Sequence, residues 1–330
     1  MMVPDDQMTR SEIDAMTAMQ LMVDSDLCSD GSPRTPVKLS IAMAAHNEER
    51  TIEAAVRDVL SVEGEFEIEL IVVDDGSSDA TAEIVRSITD SRLVLVRKDR
   101  CKGKGAAILS AVGVATGTHL LIFDADLEYS ARDIPALVQP LLDGRAEVVY
   151  GARVAGMGTS FSSSRYKLGS DLTTLFTNVV FDAWLKDMHT CLKLVPLDLV
   201  RQLSLSEAGF GLDTEITGEL LRRGIRPYEV PCSFRGRSHA AGKKITARDG
   251  IECLKVALKV RLRGRVEPLV AGTSYAGREQ YQVLRPALSG GWPAFRAGGL
   301  SESCIKESDI EESAAARRSA LVGAGSPAGS

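Results

Sequence analysis

Leu121-Ile122-Phe123-Asp124-Ala125-Asp126-Leu127-Glu128 is an apolar run that stops on two carboxylates separated by one small side chain. Its first half, with His119 and Leu120, reads as a short strand that is apolar almost throughout, as strands covered on both faces are. In open α/β sheets, ligands bind beyond the carboxyl ends of the strands. The acids therefore stand where a ligand is expected. Upstream, Ile71-Val72-Val73-Asp74-Asp75-Gly76-Ser77 ends in the same way. If both strands run parallel, their carboxylates meet on one rim of the sheet.

Working outward, further strand candidates are Lys38–Ala44, Glu69–Asp74, Arg92–Val96 and Glu147–Tyr150. Between them lie helix candidates at Glu49–Ser61, Ala80–Ile88, Lys104–Ala115 and Ala131–Leu142, with Asp79 placed to cap the second. Strand–helix alternation of this kind implies βαβ units and a mostly parallel sheet flanked by helices, the α/β class. After Gly151 comes a Gly/Ser-rich stretch, residues 155–164, read as a mobile loop. Helix candidates Lys167–Trp184, Asp213–Arg223 and Ala247–Leu262 follow, with a strand at Pro227–Phe234. Residues 1–36 read as a flexible leader, with a short helix around Ser11–Met22, and residues 266–330 as a mostly disordered tail. The folded part is then 37–265, divided into a nucleotide-binding half (37–150) and an acceptor-binding half (151–265).

Composition narrows the function. The net charge is −6, whereas a general nucleic-acid binder is basic, so no nucleic-acid partner is expected. No stretch approaches the roughly 18 apolar residues of a spanning helix. The six cysteines form no CxxC pair and the four histidines are far apart, which disfavours a zinc site. An acidic N-terminus without an apolar signal core points to a reducing, cytoplasmic compartment.

Asp124 and Asp126, with Glu128 close behind, offer the hard oxygen ligands that suit Mg²⁺ or Mn²⁺, which can bridge the oxygens of a nucleotide diphosphate. An Asp-x-Asp also arises in loops of solvated acids, and Asp74-Asp75-Gly-Ser as a turn with a helix cap. On these acids alone both readings stay open. Gly103-Lys104-Gly105 opens a helix but matches neither GxGxxG nor GxxxxGK[ST], so a glycine turn is favoured there over a dinucleotide or P-loop site.

The pieces occur in an ordered set: Leu39-Ser-Ile-Ala-Met-Ala-Ala-His-Asn47-Glu48-Glu49, Val72–Asp79, Gly103–Ala107, Asp124–Tyr129, Val149–Arg153, Asp187-Met-His-Thr-Cys191, Phe210–Glu215, Tyr228–Pro231 and Arg237–Ile245 with Arg248-Asp-Gly250. This set resembles family 2 glycosyltransferases of the GT-A fold, and most of all their dolichyl/polyprenyl-phosphate mannosyl- and glucosyltransferase branch, over about residues 37–262. The resemblance implies an inverting, metal-dependent transfer of a hexose from a nucleotide-diphospho-sugar of the UDP-glucose or GDP-mannose type. It implies Glu48, Val73 and Asp75 at the nucleoside, with Ala44, His46, Lys104 and Ala125 also on the donor side. Asp124 and Asp126 are then metal ligands with Glu128 near them, Arg153 and Arg165 receive the acceptor's phosphate, and Arg237 and Lys243 clamp the donor diphosphate. Ala44, His46, Cys101, His189 and Ala241 depart from the family pattern at ligand-touching positions.

A phosphate acceptor is already ionised and needs no strong base. A hydroxyl acceptor needs a carboxylate, for which Asp213 and Glu215 are the candidates; as acids at a helix start they also fit the helix dipole. A polyprenyl-phosphate acceptor requires access to a membrane, and the basic amphipathic segment Ala247–Arg265 can lie on the cytoplasmic face of one or pack with a solvated basic face. A soluble small-molecule or saccharide hydroxyl acceptor is the alternative, and a non-catalytic nucleotide-sugar-binding protein a third reading.

Overall fold

The computed structural model describes residues 36–154, 158–237, 247–264 and 282–284, all within the first of the chain's two contact-defined units, 1–293 and 294–330. The expected Ser11–Met22 helix and Lys243 lie outside the described residues.

The first half alternates as the hydrophobic runs predict: β1 (Lys38–Ala45), α1 (Ile52–Leu60), β2 (Glu67–Asp74), α2 (Thr81–Ser87), β3 (Leu93–Arg97), α3 (Lys104–Val114) and β4 (His119–Asp124). These four strands pair in parallel in the order β3-β2-β1-β4. Alternation along each strand sends its side chains to opposite helical layers. On β1, Leu39, Ile41 and Met43 join the layer of α1, while Ala42 faces α3. On β2, Leu70 and Val72 face one way and Ile71 and Val73 the other. Each fully buried Leu, Ile or Val contributes about 1.5–3 kcal/mol, so both layers hold the sheet. Asp79 acts at the start of α2, its Oδ1 accepting the Thr81 N–H at 3.0 Å.

The second half adds α4 (Ile134–Leu142), β5 (Val149–Ala152), β6 (Thr159–Ser160), α5 (Ser164–Phe181), β7 (Lys193–Pro196), α6 (Leu197–Gln202), α7 (Leu212–Arg222), β8 (Tyr228–Pro231), β9 (Phe234–Arg235), α8 (Ala247–Leu262) and β10 (Gln282–Leu284). Four features differ from the sequence reading. β7 inserts antiparallel between β4 and β5, a strand hidden by its lysine and its length of four residues. The segment expected as one strand, Pro227–Phe234, is two. Ser233 leaves the main sheet because Asp133 Oδ2 accepts from its N–H (2.8 Å) and its hydroxyl (2.6 Å). β9 then pairs with β6, so part of the Gly/Ser-rich stretch is a strand. Finally, Gln282–Leu284 pairs antiparallel with β3 at the sheet edge, within a region where no element was expected.

Candidate active site at the carboxyl rim of the sheet

The strand register levels the rim. Ala44 on β1 pairs with Asp124 on β4, and Ala45 with Asp74 on β2. The carboxyl ends of three neighbouring parallel strands therefore open on one side. Asp124 Oδ1 lies 2.6 Å from Lys104 Nζ, at the first turn of α3, and the same ammonium reaches Cys191 Sγ at 2.9 Å. Burial pushes the Asp124 carboxyl up, but the charge and hydrogen bond of Lys104, the Cys191 hydrogen bond and the charge of Lys193 together hold the group below its usual range. Asp126 Oδ2 lies 2.9 Å from Arg237 NH2, whose NH1 is 3.4 Å from Glu48 Oε2. Burial, then the neighbouring charges of Asp124 and Glu128, push Asp126 up to about 6.

The backbone shapes this turn. Leu127 takes a left-handed φ of 62°, costly for a residue with a Cβ, and the Glu128 N–H returns to Asp126 Oδ1 at 3.0 Å. Glu128 then holds the incoming 234–237 segment. Its carbonyl accepts from Arg235 N–H (2.8 Å) and its Oε1 from Arg237 N–H (2.5 Å). Asn47, also left-handed at φ 55°, ties the β1 end to the β2 end: its N–H donates to Ser77 Oγ and its Oδ1 accepts from Ser78 N–H, each at 2.9 Å.

Asp75 is held by backbone. Its carboxylate accepts from the N–H groups of Lys102 (3.1 Å) and Gly103 (2.7 Å), from Cys101 Sγ (3.2 Å), and lies 3.1 Å from Lys98 Nζ. Burial opposes its ionisation, yet these donors hold it below the usual carboxylate range. His46 Nδ1 faces the Asp75 carbonyl at 3.0 Å, and Glu48 takes a hydroxyl from Thr51 at 3.1 Å. Ala44 is partly buried beside them. Val73 and Ala125 are corrected: their side chains lie in the core, and the Val73 backbone sits between β1 and β3. Neither offers a side chain to a ligand.

Gly103 and Gly105 serve the turn. A Cβ on Gly105 would stand 2.2 Å from the Glu207 carbonyl, and one on Gly103, at φ 106°, 2.5 Å from that of Ala208. Ala106 N–H, one of the free donors of this helix start, is already taken by Ala208 O at 3.0 Å.

The acceptor-side residues are more sealed than expected. Arg153 forms a two-pronged pair with Asp187, Nε–Oδ2 at 2.6 Å and NH2–Oδ1 at 2.8 Å, and stacks 4.9 Å from the Phe234 ring centre. Its fork is engaged by Asp187, so the expected role, receiving the acceptor's phosphate, requires that pair to open. Arg165 is exposed on the first turn of α5. Glu215 is also corrected: fully buried, it accepts from Ser206 N–H and Glu207 N–H (2.8 Å each), from the Ser206 hydroxyl (3.0 Å), and pairs with Arg263. It fixes the 206–209 loop and is no base. Asp213 sits 2.9 Å from Lys193 Nζ, a fully buried ammonium that also donates to the carbonyls of Met188 (3.0 Å) and Thr190. Lys193, which sequence reasoning did not single out, and Asp187, singled out only as the start of Asp187–Cys191, both stand beside the site. A lysine inside the apolar run Leu192–Val195 was the available signal.

A divalent ion fits this rim on two carboxylates. Burial first, and then the charges of Asp124 and Glu128, raise Asp126, and a cation relieves the part due to those charges. Glu128 is corrected as a third ligand, because among the described residues no three acidic, His or Cys side chains are arranged to hold a metal. Mg²⁺ and Mn²⁺ sites commonly use one or two carboxylates and fill their remaining positions with phosphate oxygens and water.

The model of glycosyl transferase family 2 matches residues 40–203. The chain is 27% identical over 212 residues to the low-salt glycan biosynthesis hexosyltransferase Agl6 of Haloferax volcanii, covering 62% of this chain and 49% of that protein. It is 26% identical over 218 residues to the glycosyltransferase AglJ of the same organism, covering 66% of this chain and 69% of that one. The chain thus spans about half of the first relative. Among solved structures it resembles glucosyl-3-phosphoglycerate synthase of Mycobacterium tuberculosis with bound UDP (TM-score 0.53, 19% identity, 78% of this chain and 86% of that one). The same enzyme with Mn²⁺, UDP-glucose and phosphoglyceric acid matches with a TM-score of 0.51 at 19% identity, over 79% of this chain and 85% of that one. The parallel sheet with its acidic rim is the GT-A fold, and residues 40–203 form a glycosyl transferase family 2 domain.

Proposed function

We propose that this protein is an inverting, divalent-metal-dependent hexosyltransferase that uses a nucleotide-diphospho-sugar and a polyprenyl-phosphate-type acceptor. The carrying observation is that Asp124 and Asp126 each hold a basic partner, Lys104 and Arg237, on the rim that also carries Asp75. A diphosphate arriving there finds cations within reach and carboxylates ready for a metal. Asp124 and Asp126 would hold Mg²⁺ or Mn²⁺, which when bound neutralises charge on the leaving diphosphate. Glu48, His46 and Asp75 line the nucleoside side. Arg237 exchanges its pairing with Asp126 for the diphosphate, with Lys243 as a second clamp. An acceptor phosphate oxygen forms the new bond to the anomeric carbon as the bond to the diphosphate breaks, and that electron pair leaves with the diphosphate. Arg165 meets the acceptor phosphate, while Arg153 and Asp187 stiffen the wall beside it. The division into halves at 37–150 and 151–265 follows from these roles.

A second reading keeps the donor and uses a soluble acceptor. It is favoured by the structural neighbour whose complexes contain phosphoglyceric acid. If that acceptor presents a hydroxyl, Asp213, 2.9 Å from Lys193 Nζ, is the candidate base. Incubating the protein with UDP- and GDP-hexoses, Mn²⁺ or Mg²⁺ and either polyprenyl phosphate or phosphorylated small molecules separates the readings. Sugar on the lipid supports the first. Transfer only to soluble acceptors moves the conclusion to the second, and no turnover with any donor removes both.

A further inference from the structure

Two neighbouring helices present apolar side chains to the outside. On α5, Thr173, Thr174, Thr177 and Phe181 are buried against the body. Leu168, Leu172, Leu175 and Val179 share the opposite helical face and are all exposed, Val179 to 74%. α8 repeats the arrangement. Cys253, Val256, Ala257 and Val260 are buried, while Ile251, Leu258 and Leu262 lie exposed along one stripe, Leu262 to 81%. The helices pack on each other through Phe181, Val256, Ala257 and Val260. Beyond α5 stands Trp184, 78% exposed, with Lys186 Nζ 5.4 Å from its ring centre. Single exposed apolar residues are ordinary; two helical stripes and a tryptophan on adjoining helices are not.

Charge identifies the occupant. The chain carries a net −6, yet α8 has four basic residues (Arg248, Lys255, Lys259, Arg261) against two acidic ones (Asp249, Glu252). All four basic side chains are exposed, and on the helical wheel Arg248 and Lys255 border the apolar stripe on one side and Arg261 on the other. Exposed Lys186 and Arg165 add the same sign beside α5. Three pairs cancel locally, Lys255 with Glu252 at 3.2 Å, Lys259 with Glu207 at 2.6 Å and Lys167 with Asp171, so the basic excess rests on Arg248, Arg261, Lys186 and Arg165 against Asp249 and Asp182. We propose that α5, Trp184 and α8 form a docking surface for an anionic lipid bilayer. The leucines, valine and tryptophan enter the boundary between headgroups and acyl chains, and the basic side chains meet lipid phosphates. A second copy is a poorer occupant, since a two-fold contact through the same patch sets these like charges against one another.

Docking there rests on the lipid-acceptor reading for its purpose. α5 also forms a wall of the site, through Ser170 Oγ, 3.4 Å from Arg153, and Thr173 Oγ1, 2.5 Å from His189 Nε2. A bilayer held against its outer face brings a lipid phosphate beside the site.

The test is sedimentation of the full chain with vesicles of phosphatidylcholine alone or with about one-third phosphatidylglycerol. Expected is binding to the anionic vesicles that falls at least tenfold in L172E/V179E and in L258E/L262E, with melting temperatures unchanged because these side chains are exposed. Equal binding by the variants overturns the proposal, and so does a wild-type chain that ignores both vesicles. A concentration-dependent dimer that L172E/V179E dissociates, with no vesicle binding, assigns the surface to a second copy. A monomer that ignores vesicles and loses stability in L172E/V179E assigns it to other parts of this chain. Transfer to a short-chain prenyl phosphate in detergent is measured in parallel. Transfer without vesicle binding removes the docking surface and keeps the lipid acceptor; vesicle binding without transfer does the reverse.

Discussion

Lys104 Nζ stands 2.6 Å from Asp124 Oδ1, so a lysine twenty residues upstream occupies the carboxylate that a divalent ion is expected to use. The relationship has a cost and a consequence. Removing one member of a largely buried ion pair leaves its partner uncompensated, typically at about 3–5 kcal/mol. In Lys104→Met that penalty falls on Asp124, and a metal can relieve it. The variant is expected to melt below the wild type without metal and to gain more from saturating Mn²⁺. Thermal melts with and without Mn²⁺ check this; equal gains in the two proteins count against a metal at Asp124.

Arg153 and Asp187 hold the far wall together. The pair is buried, two-pronged and backed by Phe234. Asp187→Asn weakens one prong and is expected to cost about 2–4 kcal/mol, within the range for broken buried pairs. Arg153→Lys does not restore the wild-type melting point, since an ammonium cannot match the planar fork. Denaturant unfolding of both variants is the measurement.

Gly105→Ala is a sharper local test. Its Cβ would meet the Glu207 carbonyl at 2.2 Å, so α3 or the 206–209 loop must shift. A loss of about 1–3 kcal/mol is expected, the usual cost of overpacking. Faster proteolysis at residues 204–210 should accompany it. An unchanged cleavage pattern argues that the loop does not depend on this contact.

His119 contributes an acid-sensitive term. Burial at the start of β4 pushes its pKa from 6.5 down to about 4. Below pH 6.5 the unfolded chain takes up a proton that the folded chain refuses, so stability is full above that pH and falls until about pH 4. One such proton is worth at most about 1.4 kcal/mol per pH unit. His119→Gln is expected to flatten the stability profile between pH 6.5 and 4 relative to the wild type, read by urea melts at several pH values. Parallel profiles would show that His119 titrates normally.

Within the described residues, the order of the first seven elements was legible because each is a local pattern: a short apolar run, a helical repeat, a turn. Asp124, Asp126 and Asp75 were legible for the same reason, as acids that end such runs. β7 was not, since four residues with a central lysine carry no strand pattern until Asp213 and Tyr150 surround that lysine. Nor was the fate of Arg153 or Glu215. A charge in a sequence does not say whether its partner will be a ligand or another side chain.

The order of residues alone laid out the alternating architecture and put acids at the strand ends, because periodicity and strand-end acids are read over a few neighbouring residues. Which cation meets which carboxylate, and which helical faces stay bare, was settled by the packing of the whole chain. Arg237 reaches Asp126 across 111 positions of chain, and α5 keeps one apolar face outside because α8 and the body cover only the other. Such pairings depend on strand order and helix packing, long-range geometry that no local window of residues contains.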